Sequence, residues 1–598
     1  MRKRLVALLG VAVIVIAACS PAASTAPATA GPGTTTGPQP TTPTTGGLAD
    51  DQTLHLYLAS EDPPQLDPAL AQDTVSIAVL GNTMRGLLYF DKDLNVVPSA
   101  AEALPVVSDG AQTLTFKIRA DAKYADGTAI VGADFVNQFQ HLLDPRQASP
   151  YAYIACDIAG AAELLGAGGG CGSGETPTDD ATIVGLLANV GVTAPDASTV
   201  VVKLAQPATY FTTIMAMWVA VPRPAAWTAF SDAADLGSSG PFMVTSWDHN
   251  SQITLEPNPT WYGTKPTLTK VDYQIGGDPE AALAAYETGD IDTVPVPGTS
   301  VRRVADDPKL KDQIQDIPQL AITYYDFANC QAGDDKCPAQ TGTANGKSAT
   351  SNKNFRIALT QAVDKSAFID LTFGGIGQAA NSMVMPGIPG ADPDYNPYPY
   401  DPAKAAEHMA LAITELGVTD TNGDTKIDAK DLGPMKFGYN CDAGHLPRVA
   451  FLAEAWRTKL GFSQNQFDIS CTDFATFLQE RPAGKYNISR DGWGADFPHA
   501  KNQLDLLVCG SGNNNSQYCN PAFDALFNQA ATEADPAKQA ALYIQAQRLA
   551  VDDAAVLWLR YGLIRYLIQP YVAGLEATPS DSVNTGDRLL ETISILKH

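Results

Sequence analysis

The sequence predicts a mixed α/β architecture with two or three domains. Strand and helix patterns alternate along the chain, and 598 residues exceed what a single hydrophobic core usually holds. The composition, with 45% hydrophobic and 17% charged residues, is that of a globular protein. The formal net charge of −26 argues against nucleic acid or an anionic lipid surface as a partner, because both would be repelled.

Alternating and β-branched runs predict strands, and amphipathic patterns bounded by capping residues predict helices. The predicted strands are 53–59, 114–118, 200–204, 253–256, 435–440, 466–470 and 555–561. The predicted helices are 75–88, 132–143, 280–288, 355–371, 402–416, 446–459 and 536–552. The start of the third helix is the clearest, because Asp278 is a favourable N-cap and Pro279 suits the first helical position.

The amino-terminal segment predicts export. Residues 1–4 are basic, residues 5–16 are apolar, and small residues precede Cys19, so residues 1–19 read as a signal peptide too short to span a bilayer. The end of this signal resembles a bacterial lipobox, in which Cys19 is lipidated; the alternative is an ordinary cleaved signal with an incidental cysteine. Residues 20–49 are rich in Pro, Thr, Gly and Ala and predict an extended tether.

Eight cysteines remain after Cys19, and an even number in an exported chain favours disulfides. Their spacing predicts four bonds between sequence neighbours: Cys156–Cys171, Cys330–Cys337, Cys441–Cys471 and Cys509–Cys519. For the third pair, the preceding strands 435–440 and 466–470 are joined by a helix, so a right-handed crossover would make them parallel neighbours. No pair has the spacing of a zinc site.

The segment 486–498, YNISRDGWGADFP, combines a cation, an aromatic ring and a carboxylate in a strand followed by a turn. These are Arg490, Trp493 and Asp496. A carboxylate beside an aromatic surface suits a desolvated ammonium group, because an ion removed from water must be paired. The segment therefore predicts a site for a ligand with an amino group, and a short peptide is such a ligand.

Seven motifs in order resemble the solute-binding proteins of peptide-type ABC importers, bacterial extracellular solute-binding family 5. They are LDP at 66–68, RGLLYFD at 85–91, FKIRADAKYADGT at 116–128, DPRQASPY at 144–151, ETGDID at 287–292, RDGWGADF at 490–497 and NPAFDALF at 520–527. The resemblance covers residues 53–598. It implies a two-lobed, periplasmic-binding-protein-like fold of type II (the Venus flytrap) with an extra third domain.

The resemblance also implies a domain division and a function. Lobe I is expected at 50–84, 223–320 and 562–598, the extra domain at 85–222, and lobe II at 321–561. The implied protein is a monomeric, lipid-anchored, extracytoplasmic receptor, not an enzyme, which captures short peptides and delivers them to an ABC importer without a required cofactor. Alternatives are the same scaffold binding an oligosaccharide, a nickel complex or a metabolite, a signalling receptor, and a secreted peptidase, although the chain lacks Gly-x-Ser-x-Gly and His-Glu-x-x-His motifs.

The family's ammonium-binding aspartate matches Asp496 by resemblance, and Tyr151 matches a tyrosine that bonds the peptide main chain. Gly492 and Gly494 are expected in a strand to which the ligand adds as a further strand. Gln72, which replaces an acidic residue, and Thr74 are expected near the ligand.

Three cations match positions that can meet the ligand's carboxylate: Arg490, Arg481 and His445. Alternatively, Arg481 is a surface arginine and His445 an exposed residue at a helix start. Phe474 and Trp493 are expected to line side-chain pockets, or else to be ordinary core residues. Pro295 and Phe373 depart from the family by replacing an asparagine donor and a lysine, which leaves ligand length open.

One insertion has the spacing of an EF-hand calcium loop. The candidate ligands are Asp420, Asn422, Asp424, Lys426 through its carbonyl, Asp428 and Asp431. Thr425 stands where the loop normally requires Gly. A structural calcium site and a simple turn are both compatible with this pattern.

Overall fold

A computed structural model of the chain describes residues 47–59, 62–166, 171, 175–330, 338–424, 426–441, 444–581 and 583–598. The predicted signal peptide, the lipidated Cys19 and most of the predicted tether lie outside these residues. No helix in the described ranges is long and apolar enough to cross a membrane.

The described strands are β1 (Thr53–Ala59), β2 (Leu88–Phe90), β3 (Val96–Pro98), β4 (Val106–Ser108), β5 (Thr113–Lys117), β6 (Val192–Asp196), β7 (Thr199–Lys203), β8 (Phe242–Asp248), β9 (Gln252–Pro257), β10 (Lys270–Ile275), β11 (Thr293–Pro295), β12 (Ile314–Phe327), β13 (Gln378–Ala379), β14 (Met435–Asn440), β15 (Phe467–Thr472), β16 (Ile488–Gly494), β17 (Val556–Ile568), β18 (Val572–Ala573) and β19 (Ser594–Ile595). The α-helices are α1 (Thr74–Thr83), α2 (Gly132–Leu143), α3 (Ala161–Leu165), α4 (Asp180–Leu187), α5 (Phe211–Ile214), α6 (Pro279–Thr288), α7 (Val301–Asp306), α8 (Lys353–Gln361), α9 (Lys365–Thr372), α10 (Pro402–Glu415), α11 (His445–Leu460), α12 (Phe474–Glu480), α13 (Ala500–Leu504), α14 (Pro521–Thr532) and α15 (Pro536–Asp552).

Two long antiparallel strands, β12 and β17, run through the middle of the main sheet. The strand order is β15-β14-β16-β12-β17-β11-β1-β10-β9-β8, with β13 added on β17. One end of the β12–β17 pair therefore lies beside β14–β16, and the other end lies beside β1 and β8–β11. A separate sheet, β4-β5-β7-β6, belongs to the segment before β8.

A bulge interrupts the β12–β17 pair where one half of the sheet gives way to the other. Pro318 pairs with Leu563 and Ile322 pairs with Tyr561, so residues 319–321 lie opposite Gly562 alone. A Cβ on Gly562 would lie 3.0 Å from the Cβ of Ala321 and 3.1 Å from its carbonyl oxygen. The close backbone approach at this bulge therefore favours glycine.

The buried cores follow the same division. One core is formed almost wholly by residues 87–220. A second packs around β1 and β8–β10. Alternate residues of β12 enter two further cores, with Tyr325 and Phe327 on one face of the sheet and Ile322 and Tyr324 on the other.

Several predicted elements are present with their expected bounds, including α2 and α15. The crossover is also as expected, because β14 and β15 pair in parallel on either side of α11. Two predicted helices were wrong in extent. The helix predicted at 75–88 ends at Thr83, and the one predicted at 355–371 is two helices, because the Asp364 side chain accepts a hydrogen bond from the Ala367 N–H and begins α9.

Disulfide bonds join Cys156 to Cys171, Cys441 to Cys471, and Cys509 to Cys519. Cys330 is also disulfide-bonded, while its expected partner Cys337 lies outside the described residues. The bond between Cys441 and Cys471 ties together the ends of two parallel strands, as the crossover argument requires.

Candidate functional site

A cavity of about 360 Å³ lies beside the bulge of β12. Its lining residues come from α1 and the residues before it, from the segments around Leu88, Tyr151 and Trp218, from residues 319–321 and 494–498, and from residues 579–581 with Arg588. These parts belong to all three predicted domains. The predicted residues Gln72, Thr74, Tyr151, Gly494 and Asp496 all lie on its wall.

Asp496 is held on the cavity wall by side chains from two parts of the fold. The Asn502 side-chain amide donates to Asp496 Oδ2 at 2.8 Å, and the Tyr151 hydroxyl donates to Oδ1 at 3.3 Å. In return, the Asp496 backbone N–H donates to Asn502 Oδ1 at 3.1 Å. The carboxylate is therefore oriented before any ligand arrives.

The electrostatics of Asp496 favour a cationic ligand. Burial raises the pKa of its carboxyl group, while hydrogen bonds from Asn502, Tyr153 and Tyr151 oppose that rise. Within the described ranges, Asp496 forms no ion pair with Lys, Arg or His. A half-buried carboxylate with neutral donors and no counter-ion gains free energy when an ammonium group binds beside it.

Three supporting residues of this site were not predicted from the sequence: Tyr153, Asn502 and Trp218. The Tyr151 ring contacts Trp218 edge to face at 5.0 Å between centroids and lies 5.7 Å from the Tyr153 ring. Asn502 also accepts a hydrogen bond from the Trp493 indole at 2.9 Å. Asn502 lies in α13, only six residues after Asp496. This short separation could have suggested a contact between the two side chains, but it is not a specific signal.

The strand β16 leaves an edge open next to Asp496. It pairs with β12 from Ile488 to Gly494, whereas β14 pairs with it only at Ile488 and Ser489 in the described part of the chain. From Arg490 to Gly494, the β14 side of β16 therefore has no neighbouring strand in the described residues. An extended chain could add there through backbone hydrogen bonds.

The three predicted cations differ in their surroundings. Arg481 is not a surface residue: its guanidinium forms an ion pair with Asp491, and the two side chains are 9% and 6% exposed. His445 is the first residue of α11, as expected, but it is buried rather than exposed, with Nδ1 3.0 Å from an Arg448 nitrogen. Arg490 is half-buried, and its Nε has no hydrogen-bond partner in the described structure.

Asp491 of β16 and Asp326 of the neighbouring strand β12 form a buried acidic pair. Burial, and then the charge of Asp491, raise the pKa of Asp326 well above its ordinary value. The positive charge of the Arg481 guanidinium offsets part of the negative charge of this pair, through its ion pair with Asp491. The role of Arg481 toward a ligand stays a prediction.

The aromatic candidates are placed on different surfaces. Trp493 packs against the core that contains Tyr324 and Trp558, on the face of β16 opposite to Gly492 and Gly494. Phe474 begins α12, and its side chain lies outside what the structure describes. Lining of a ligand pocket by these two residues remains untested.

The calcium-like loop is organised by its own backbone. The Asp431 carboxylate accepts hydrogen bonds from the backbone N–H groups of Thr421, Asn422 and Asp428. Within the described residues, the loop's carboxylates do not form a group of three oxygen ligands within 4.8 Å. Calcium binding by Asp420, Asn422, Asp424, Lys426, Asp428 and Asp431 therefore stays a prediction.

Comparison with known proteins agrees with this geometry. The model for "Bacterial extracellular solute-binding proteins, family 5 Middle" matches residues 95–515. The chain is 27% identical to the oligopeptide-binding protein OppA of Bacillus subtilis over 515 residues, which cover 84% of this chain and 86% of that protein. It is 26% identical to the periplasmic oligopeptide-binding protein OppA of Salmonella typhimurium over 567 residues, covering 92% and 94% of the two chains.

Solved structures show the same fold. The unliganded open form of the periplasmic murein tripeptide binding protein MppA superposes with a TM-score of 0.76 at 24% identity, covering 93% of this chain and 99% of that one. OppA of Listeria monocytogenes bound to peptide gives 0.65 at 21% identity, covering 92% and 100%. The fold is thus the two-lobed type II binding-protein fold that the resemblance implies.

The family model spans well over half of the sequence, and the relatives align along most of their length. Family 5 consists of solute-binding proteins rather than enzymes, so a peptidase is excluded as the class of this protein. The chain belongs to the bacterial extracellular solute-binding proteins of family 5.

Proposed function

We propose that this protein captures short peptides between two lobes by binding their α-ammonium group at Asp496. The observation that carries the proposal is the half-buried Asp496 carboxylate, oriented by Asn502 and Tyr151 on the wall of a cavity and without an ion pair in the described residues. The open edge of β16 supports main-chain recognition, which does not depend on peptide sequence. Relatives named for binding oligopeptides and murein peptides support the same ligand class.

The domain division supports closure around the ligand. Lobe I is assigned to 50–84, 223–320 and 562–598, the extra domain to 85–222 and lobe II to 321–561. The proposed boundaries between lobe I and lobe II on β12 and β17 both fall at the bulge, where residues 319–321 lie opposite Gly562. Two crossing strands with a shared irregularity are suited to a hinge, and a ligand that touches both lobes would favour the closed state.

The cellular role follows from the amino-terminal sequence and from the relatives. A lipidated Cys19 and the tether 20–49 would hold the receptor on the outer face of the cytoplasmic membrane, from which it would deliver peptides to an ABC importer. Relatives named as periplasmic proteins support an extracytoplasmic location. A Cys19→Ala variant that still fractionates with membranes would contradict the lipid anchor.

A non-peptide solute is the second candidate. Part of the cavity wall is apolar, with Leu88, Phe90, Met217 and Trp218, and one relative at 26% identity is named as a probable deoxycholate-binding periplasmic protein of Escherichia coli. Asp496 separates the two candidates, because a bile acid or an uncharged sugar has no ammonium group to pair with it.

Ligand identification by mass spectrometry tests the proposed function. The protein is purified without added ligand and denatured, and the released small molecules are analysed. The proposal predicts a mixture of short peptides with free amino termini. Release of a sterol-like acid, a sugar or another solute without an amino group would refute it.

A further inference from the structure

Three half-buried aromatic side chains line the cavity beside Asp496. Phe90, Tyr151 and Trp218 each pack against the margin of the core formed by residues 87–220, and each stays partly exposed. The Tyr151 and Trp218 rings are in edge-to-face contact, with 5.0 Å between their centroids. We call Phe90, Tyr151 and Trp218 the aromatic wall. Leu88 and Met217, buried in the same core, extend its apolar surface.

The aromatic wall adjoins the carboxylate that is proposed to hold the ligand. The Tyr151 hydroxyl donates to Asp496 Oδ1 at 3.3 Å, so the wall and the carboxylate are joined by a direct contact. An ammonium group bound at Asp496 therefore has its own carbon atoms inside the cavity. In a peptide, these are the first Cα and the first side chain.

Only the first residue of such a peptide shares the cavity. Within the described chain, Gly494 is the one residue of β16 that lines the cavity, and residues 495–498 continue the lining. The open edge of β16 extends from Gly494 back to Arg490. A peptide that adds to this edge therefore carries its later residues away from the aromatic wall.

The charged side chains of the cavity wall already have partners. Arg85 forms a buried ion pair with Glu591 at 2.7 Å, and the Arg588 Nε donates to the Ser580 carbonyl at 3.1 Å. Asp581 Oδ2 accepts two backbone N–H groups, and burial raises the pKa of its carboxyl group well above the ordinary value. These arrangements offset the charges of the wall and favour an uncharged side chain in the cavity.

The cavity has room for an aromatic side chain. Its volume is about 360 Å³, whereas an apolar cavity of roughly 150 Å³ already accepts a benzene-sized molecule. A ring placed against the aromatic wall loses its apolar surface to the cavity and gains ring contacts of the kind that Tyr151 and Trp218 make with each other.

We propose that the aromatic wall is a specificity subsite for the first side chain of the ligand. It selects short peptides that begin with an aromatic or other large apolar residue. The inference rests on the proposed capture of the ammonium group at Asp496, because that contact places the first side chain in the cavity.

A basic first side chain is the competing occupant. Asp581 lines the cavity, and its buried Oδ1 has no hydrogen-bond partner in the described structure. A lysine that reached this oxygen would pair with it. The test therefore includes a peptide that begins with Lys.

Calorimetric titration compares three short peptides that are identical after the first residue, which is Phe, Ala or Lys. All three have a free amino terminus. The wild type is expected to bind the Phe peptide roughly tenfold or more tightly than the Ala peptide, because the ring is buried against the wall. The Phe peptide is also expected to bind more tightly than the Lys peptide.

Phe90→Ala assigns the preference to the aromatic wall, because it removes one ring and no polar group. The ratio of the Phe and Ala affinities is expected to fall at least about threefold in this variant. Phe451→Ala is the matched control: Phe451 is also half-buried and its ring lies 5.6 Å from that of Phe368, but it does not line the cavity. This control is expected to keep the wild-type ratio.

The possible failures are distinguishable. Equal affinity of the wild type for the Phe and Ala peptides, or tightest binding of the Lys peptide, overturns the subsite and leaves peptide capture intact. A ratio that is unchanged in Phe90→Ala, or that falls equally in Phe451→Ala, overturns the assignment to the aromatic wall. If Phe90→Ala fails to fold by circular dichroism, Phe90→Val takes its place, because Val suits a strand. Failure of all three peptides to bind refutes the proposed function, and the subsite with it.

Discussion

Replacement of Asp496 by Asn removes the charge on which peptide capture depends and keeps the shape of the side chain. The Asn502 amide can still donate to the remaining amide oxygen, while the new amide nitrogen donates to the Tyr151 hydroxyl oxygen. The site therefore remains assembled in Asp496→Asn, and the change is almost purely electrostatic. A loss of binding in this variant reports on the ammonium–carboxylate pair.

The expected magnitude follows from the surroundings of Asp496. Removing one partner of a buried ion pair costs about 3 to 5 kcal/mol. Asp496 is half-buried in this structure and has neutral hydrogen-bond donors, so the lower end of the range applies. A loss of about 3 kcal/mol corresponds to a roughly 100-fold rise in Kd for a peptide with a free amino terminus.

Calorimetry with a free peptide measures this loss, and Asp134→Asn is the control. Asp134 resembles Asp496 in having a burial-raised pKa and a tyrosine donor, with the Tyr124 hydroxyl at 2.8 Å, but it does not line the cavity. Asp134→Asn should leave Kd unchanged. An unchanged Kd in Asp496→Asn, or an equal loss in Asp134→Asn, would refute the reasoning.

Three further predictions concern pH, the tyrosine donor and a disulfide. Burial raises the pKa of Asp496, so its protonated form stabilises the folded state and its ionised form destabilises it. The stability contributed by the protonated carboxyl group is fully present below the ordinary pKa of 3.8 and is lost as the pH rises through the raised pKa. Asp496→Asn should therefore melt at a higher temperature than the wild type at pH 7, with the gap closing toward pH 3.8, and an equal or lower Tm at pH 7 would contradict this. Tyr151→Phe removes a 3.3 Å hydrogen bond to Asp496 and should weaken peptide binding by about 1 kcal/mol or less; a loss as large as that of Asp496→Asn in the same titration would mean that Tyr151 does more than orient the carboxylate. Replacing Cys441 and Cys471 together by Ser opens a loop with a sequence separation of 30 residues and should lower the free energy of unfolding by about 3 to 4 kcal/mol, measured by urea denaturation; an unchanged midpoint would show that the bond adds no stability.

Local rules predicted much of the fold. The helices α2 and α15 begin and end at residues with clear signals, such as the Asp144-Pro145 stop and the Asp535 cap. The parallel pairing of β14 and β15 was predicted from the helix that joins them and from the right-handedness of such crossovers. The Cys441–Cys471 disulfide was then predicted from that pairing. These features depend on residues that are close in sequence or joined by one crossover.

The arrangements that the sequence did not predict depend on contacts between distant segments. The burial of Arg481, for which a surface position was the alternative interpretation, has no signal in its own segment, because the buried partners Asp491 and Asp326 lie elsewhere in the sequence. Phe373 was noted only as replacing a lysine of the family, and the fold brings Arg448 and Arg560 to its ring from α11 and β17. Neither arrangement has a local sequence signal.

The site itself was predicted in part. Asp496 and Tyr151 lie together on the cavity wall, as the resemblance implied, and Tyr153 and Asn502 complete the hydrogen bonding. The calcium-like loop shows the opposite case. Its oxygen spacing suits both an ion and a turn, and the described geometry has Asp431 accepting from backbone N–H groups.

The most direct test compares a peptide with its own N-acetylated form in calorimetric titrations of the wild-type protein at neutral pH. Acetylation removes the positive charge and leaves the rest of the peptide unaltered. The ammonium–Asp496 mechanism predicts that the acetylated form binds at least about 100-fold more weakly. Equal affinities for the two forms would contradict it.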